Sequence, residues 1–203
     1  MTNTTKTFLH VGCGQKTKEN TTRGFNSIEW KEIRYDIDSK VDPDLIGSMT
    51  DLSEIKDRSI DAIFSSHNIE HLYPHEVPVA LSEFLRVLKD DGFVVITCPD
   101  LQSVCELIAE DKLLEAAYDS PAGPISPMDM LYGYRPSMAR GNLYMSHRCG
   151  FTKKVLAESM RSAGFQISIS RRRPGPFFDL WIVSYKSRQD ESLLRGAALE
   201  HFP

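Results

Sequence analysis

Phe8-Leu-His-Val-Gly-Cys-Gly14, joined to Tyr35-Asp-Ile-Asp38 some twenty residues on, decides how this chain is read. Thr7 to Val11 is a β-prone run stopped by two glycines around Cys13, a pattern that predicts a strand ending in a tight loop. Because glycine has no Cβ, such a loop lets backbone N–H groups approach a ligand closely. Asp36 lies at the end of the next predicted strand, Ile33 to Ile37, where a carboxylate accepts hydrogen bonds from both hydroxyls of an adenosine ribose. Together the two features point to an adenosine-containing cofactor. A nicotinamide dinucleotide fits less well, because Thr17 occupies the third glycine position of G-x-G-x-x-G.

Outward from this core, Asp44 to Ile46, Ile60 to Ser65 and Phe93 to Cys98 are further short strands, the last two dense in apolar residues as in a parallel sheet covered on both faces. Val77 opens a helical period through Leu81, Phe84, Leu85 and Leu88, with Gly92 as its expected C-terminal cap. A second helix is expected after Asp100, with Leu101, Val104, Cys105 and Ile108 on one face and a continuation at Leu113-Leu114. A third opens at Thr152, turns Val155, Leu156 and Met160 inward and stops at Gly164. Phe165 to Ser170 and Phe177 to Tyr185 are strands joined through Arg173-Pro-Gly-Pro176, predicting an antiparallel hairpin. The fold class is therefore α/β, a Rossmann-like three-layer sandwich with a mainly parallel sheet and an antiparallel C-terminal hairpin. Residues 1–203 read as a single domain, and Ser120 to Arg148, long for a connection, reads as an insert or lid over a substrate site.

Length and composition agree with one ordinary globular domain: 203 residues, 41% hydrophobic and 26% charged. Lys and Arg number 24 against 28 Asp and Glu, a formal charge of −4, which argues against a polybasic nucleic-acid binder. The four cysteines form no C-x-x-C pair, the N-terminal Met1 to Lys6 is polar, and no apolar run approaches a membrane span. A reduced, cytoplasmic protein is expected, with no nucleic-acid or membrane partner; the sequence is silent on oligomeric state.

Five motifs in order and spacing, namely the glycine loop, Tyr35 to Asp38, Gly47-Ser-Met-Thr-Asp-Leu52, Ser59 to Leu72 and Leu88 to Asp100, resemble class I S-adenosylmethionine-dependent methyltransferases over roughly residues 7 to 110. The resemblance implies S-adenosylmethionine as cofactor. By that resemblance Gly12, Cys13 and Gly14 line its methionine part, Asp36 holds the ribose, Ile37 packs on the adenine and Ser48 and Met49 edge it. Ser66 and His67 lie beside the sulfonium. His10 stands where the family commonly has an acid, Lys16 where it has the loop's third glycine, and Ser48 where an acid edges the adenine. His10 is counted with the cofactor residues, and the departures leave a non-catalytic cofactor-binding or partner-binding protein of the same fold as the alternative.

His67-Asn-Ile-Glu-His71 also spells H-x-x-E-H, the zinc-binding pattern of inverted zinc peptidases. That chemistry needs both imidazoles on one continuous helix, whereas His67 directly follows a strand and Pro74 limits helix beyond it. Glu70 and His71 read instead as capping or packing residues, His147 and Cys149 lack a partner pair, and no metal is expected. His67 and His147 are the candidate acid–base residues by chemistry and position. Arg171-Arg-Arg173 reads as a solvated strand end. In the insert, Arg135, Arg140 and Arg148 face a single acid, Asp129, and alternate with Tyr132, Tyr134 and Tyr144. Flat apolar faces beside planar cations suit a small anionic or sugar-like acceptor, so these six are the candidate substrate residues. The expected reaction is transfer of a methyl group to a small-molecule, glycan or protein acceptor.

Overall fold

A computed structural model describes residues 5–203; Met1 to Thr4, the start of the polar N-terminal run, lie outside the described residues. In chain order the strands are β1 (Lys6–Val11), β2 (Trp30–Asp36), β3 (Leu45–Ile46), β4 (Ile60–Ser66), β5 (Leu88–Pro99), β6 (Tyr118–Ser120), β7 (Gly123–Ile125), β8 (Ile167–Arg173) and β9 (Asp179–Tyr185). The helices are α1 (Val77–Val87), α2 (Leu101–Ala109), α3 (Pro127–Tyr132), α4 (Arg135–Ala139), α5 (Lys153–Ala163) and α6 (Glu191–His201). Seven strands form one sheet in the order β3-β2-β1-β4-β5-β9-β8, parallel except for β9, which runs antiparallel to both β5 and β8. The chain leaves β1 towards β2 and β3 and returns to β4 on the other side. The carboxyl ends of β1 and β4 therefore flank a switch point, where open α/β sheets bind their ligands.

Alternate residues of the central strands feed two core layers, because successive side chains point to opposite faces. Leu9 and Val11 join Ile63, Val94 and Ile96 under α1 and α5, whose Leu81, Phe84, Leu156 and Met160 are fully buried. On the other face Phe8, Phe64, Val95 and Val183 pack with Phe25, Trp30 and Leu194 and Ala197 of α6. The polar stretch after the glycine loop forms only a single 3-10 turn at Lys18–Asn20. Phe25 plugs the face above it, stacked on Phe8 at 4.4 Å and edge-on to Trp30 at 5.1 Å, and α6 supplies the helical cover.

Several local expectations are corrected. Gly92 does not cap α1, which ends at Val87; it lies inside β5, at an irregularity where the pairing with β4 jumps from Ile60–Leu88 to Ala62–Phe93. A Cβ there would stand 3.0 Å from the Lys89 carbonyl and 3.1 Å from that of Asp61, so the close backbone approach explains the glycine. Cys105 and Val155 are exposed rather than inward, and α2 ends before Leu113. Arg172 and Arg173 are not free in solvent. Arg172 pairs with the buried Asp100 and donates to Ser103 Oγ at 2.9 Å, fixing the start of α2 to the hairpin. Arg173 pairs with Asp179 and lies 4.0 Å over the Phe177 ring.

Candidate active site

At the end of β1 both loop glycines are left-handed, Gly12 at φ +66° and Gly14 at φ +54°, a region that favours glycine. Gly12 N–H donates to the Tyr35 carbonyl at 2.8 Å, hooking the loop to β2. One Asp36 carboxylate oxygen accepts from Gly14 N–H at 2.8 Å and the other from Asp38 N–H at 2.9 Å. Each oxygen thus retains acceptor capacity towards the cleft it lines. Two residues that sequence reasoning did not single out hold this loop. Asn68 shares the two hydrogens of its side-chain amide among the Val11, Gly12 and Ser66 carbonyls, at 3.1, 3.3 and 2.9 Å, and Arg34 donates to the Gly14, Lys16, Val41 and Asp42 carbonyls. No local pattern announces either one, since their partners are backbone atoms brought together only by the strand order.

The loop, Asp36, Ile37, Ser48, Met49, Ser66 and His67 line a cleft of about 470 Å³, closed on the insert side by Tyr144, Met145 and Arg148, within the range of small-molecule sites. Ile37 is 47% exposed there and offers an apolar surface. Ser48 and Met49 are positioned from β3 and from the Tyr35 hydroxyl, whose single hydrogen is shared between the Asp51 carbonyl at 2.9 Å and the Ser48 carbonyl at 3.2 Å. His10 also lines the cleft, but its ring is 1% exposed and its Nδ1 sits 2.6 Å from Glu32 Oε1. Burial pushes the Cys13 thiol up to about 11, so it fills the turn as a protonated small residue.

A second, smaller cleft of about 130 Å³ adjoins the first, and His67, His71 and Met145 line both. Its other walls include Glu70, His147, Tyr118, Tyr134 and Phe178. The candidate pair His67 and His147 therefore meets in one place, on either side of Glu70: His67 Nδ1 is 3.5 Å and His147 Nε2 4.0 Å from Glu70 Oε1. Burial pushes His147 below its ordinary range. For Glu70 burial acts upward, but the surrounding imidazoles outweigh it and hold the carboxyl low.

The insert arginines are not arrayed around that space. Arg135 is paired with Asp129 through Nε at 2.7 Å, and its second terminal nitrogen donates to the other Asp129 oxygen at 3.1 Å. Arg140 is exposed beyond α4. Tyr132 faces a separate groove, Tyr134 the second cleft, and Tyr144 and Arg148 the first. Of the three insert arginines, Arg135 is thus engaged in holding α3 and α4 together, and carboxylates, imidazoles and aromatic rings surround the second cleft.

Residues 9–96 match the model of a methyltransferase domain. Over that segment the chain carries a methyltransferase domain. No curated protein matches it in sequence. Among solved structures it is similar to an S-adenosylmethionine-dependent methyltransferase from Methanosarcina mazei, at 14% identity and TM-score 0.56 over 90% of this chain and 93% of that one. It is also similar to the 1,6-didemethyltoxoflavin N1-methyltransferase of Burkholderia thailandensis, solved with 1,6-didemethyltoxoflavin and S-adenosylhomocysteine, at 17% identity and TM-score 0.58 over 90% and 71% of the two chains. A third is the PH0226 protein of Pyrococcus horikoshii, at 14% identity and TM-score 0.62 over 89% and 82%. At these identities the likeness is one of fold. The residues of the methyltransferase's large cleft fit S-adenosylmethionine: a Cβ on Gly14 would meet nothing within 4 Å, so open space lies against that backbone, and the Asp36 carboxylate stands beside it.

Proposed function

We propose that this methyltransferase acts on a small acceptor, or the small reactive end of a larger one, seated in the second cleft while S-adenosylmethionine occupies the first. The observation that carries the reading is that the two clefts share His67, His71 and Met145 as a common wall. A volume near 130 Å³ is of the order that holds a single aromatic ring. When bound, the cofactor supplies an electrophilic methyl group on a sulfonium, so this chain's residues need chiefly to orient and to exclude water. Gly12 to Gly14 and Asp36 hold the cofactor from one side, Ile37, Ser48 and Met49 from the adenine side, and Ser66 and His67 border its reactive end. Tyr144, Met145 and Arg148 of the insert cover the opening, and Tyr134 meets the acceptor. His67, 46% exposed in its side chain and lining both spaces, is placed to take a proton from a protonated acceptor; His147 faces the same space.

Calorimetry with S-adenosylmethionine and S-adenosylhomocysteine, followed by an assay of S-adenosylhomocysteine formation on phenols, amines, sugars and peptides, tests this. Turnover confined to compact acceptors is expected. Absence of binding to either nucleoside overturns the reading, and tight binding without product on any acceptor favours the non-catalytic alternative.

A further inference from the structure

Glu70 sits in the 3-10 turn Ile69–His71 with 1% exposure, and neither of its carboxylate oxygens has a hydrogen-bond partner. Buried charges are ordinarily paired or bound to metal, so an unsatisfied carboxylate needs a ligand to explain it. Three imidazoles surround it: His67, whose Nδ1 stands 3.5 Å from Oε1, and two that are oriented by backbone carbonyls. His71 Nδ1 lies 3.0 Å from the Ser146 carbonyl and His147 Nδ1 2.8 Å from that of Met130. A carbonyl only accepts, so each Nδ1 carries a proton, and in the neutral ring each Nε2 keeps the lone pair a metal needs. Donation of the distal N–H to a carbonyl is how metal-binding histidines are oriented.

We propose that Glu70, His71 and His147 bind one divalent transition-metal ion, with zinc the best match to the donor set. One ligand atom from each lies within 4.8 Å of the others, and the three side chains draw closer together to reach bond lengths near 2.0–2.2 Å. The backbone prepares the approach: Arg148 N–H donates to the Glu70 carbonyl at 2.8 Å, tying the residue after His147 to the turn that carries the other two ligands. Two imidazoles and one carboxylate leave coordination positions open. All three residues line the second cleft, so the open side faces whatever enters it. The ion site stands on this geometry alone. That it meets the methyl acceptor rests on the function proposed above, and it would favour acceptors with an O–H or S–H group, whose acidity a bound divalent ion raises. The H-x-x-E-H stretch thus contributes its second histidine and its glutamate as ligands, with the third supplied 76 residues later by the insert.

The test is metal binding by the tag-free protein without methyl donor, so that failure here is distinct from failure of cofactor binding measured separately. Zinc titration in a calorimeter should give one equivalent. Cobalt(II) should give visible absorption bands of a four- or five-coordinate site. Glu70→Gln and His147→Gln should each weaken zinc binding by at least about 100-fold, with circular dichroism confirming that they fold. His71→Gln is the second variant should the others fail to fold. Zinc affinity equal to wild type in the folded variants, or no stoichiometric binding of either ion by the wild-type protein, overturns the site.

Discussion

Gly12 and Gly14 share a left-handed backbone, yet a methyl group added to each meets different surroundings. At Gly12 it would fall 2.1 Å from Asn68 Oδ1, and that amide is held by three carbonyls, so even a small side chain there breaks the loop's own support. The obstacle at Gly12 is therefore Asn68 rather than the cofactor space, and loss of binding in Gly12→Val would report on folding as well. Gly14→Ala is the cleaner probe. Its Cβ enters open cleft, and the left-handed strain costs about 1–2 kcal/mol of stability; the expected result is a folded protein whose calorimetric affinity for S-adenosylhomocysteine falls at least tenfold. Unchanged affinity would remove the loop from the cofactor site. Asp36→Ala removes a charged acceptor and also frees Gly14 N–H, so a loss of roughly 1.5–3 kcal/mol in binding is expected. A change under threefold would take Asp36 out of the ribose role.

The insert, among the elements, shows how far a sequence can be read. Its length and its Pro, Gly and Tyr content mark it as a separate feature, and it does border both clefts. What its arginines do was not legible, because Arg135 finds its partner six residues back across a turn between α3 and α4. Asp129 there is 5% exposed and also accepts from Ser126 N–H at 3.0 Å, and its neighbours hold its carboxyl far below the ordinary range, Arg135 foremost among the groups opposing the effect of burial. The Arg135 side chain is 48% exposed, so solvent screens the pair and Arg135→Ala should cost only about 1 kcal/mol of global stability. Its expected effect is local. Release of α4 should make Arg140 cleavable by trypsin and raise the acceptor KM, while affinity for S-adenosylhomocysteine stays within threefold of wild type. Equal loss for both ligands would place Arg135 in the support of the cofactor site instead.

Over the whole molecule, the legible parts are those with a local period. β1, β4, β5, α1 and α5 declare themselves through runs and spacings that depend on near neighbours alone, and Asp36 through its place at a strand end. Long-range matches are silent in sequence: Asn68 with Gly12, Glu70 with His147, and the use of α6 to cover a face that the chain after the glycine loop leaves bare. That last match depends on His201. Its ring is 2% exposed, lies 4.3 Å from Phe25, and places Nδ1 2.6 Å from Thr22 Oγ1. Gly24 gives it room, since a Cβ there would come within 2.5 Å of the ring. Burial pushes His201 down to about 4 from the usual 6.5. Between those values the unfolded chain binds a proton that the folded one refuses, so stability contributed by this group is intact above pH 6.5, falls as pH drops towards 4, and changes no further below it. The full loss is about 3 kcal/mol, most of it by pH 4.5. Urea unfolding at pH 7.5 and pH 4.5 measures it against His201→Gln, which loses the titrating group and keeps a polar partner for Thr22. The variant should be less stable at pH 7.5 and show an acid loss smaller than the wild type's by about 2 kcal/mol. Parallel losses in the two proteins would mean that His201 titrates normally and that α6 is not closed on Phe25 in solution.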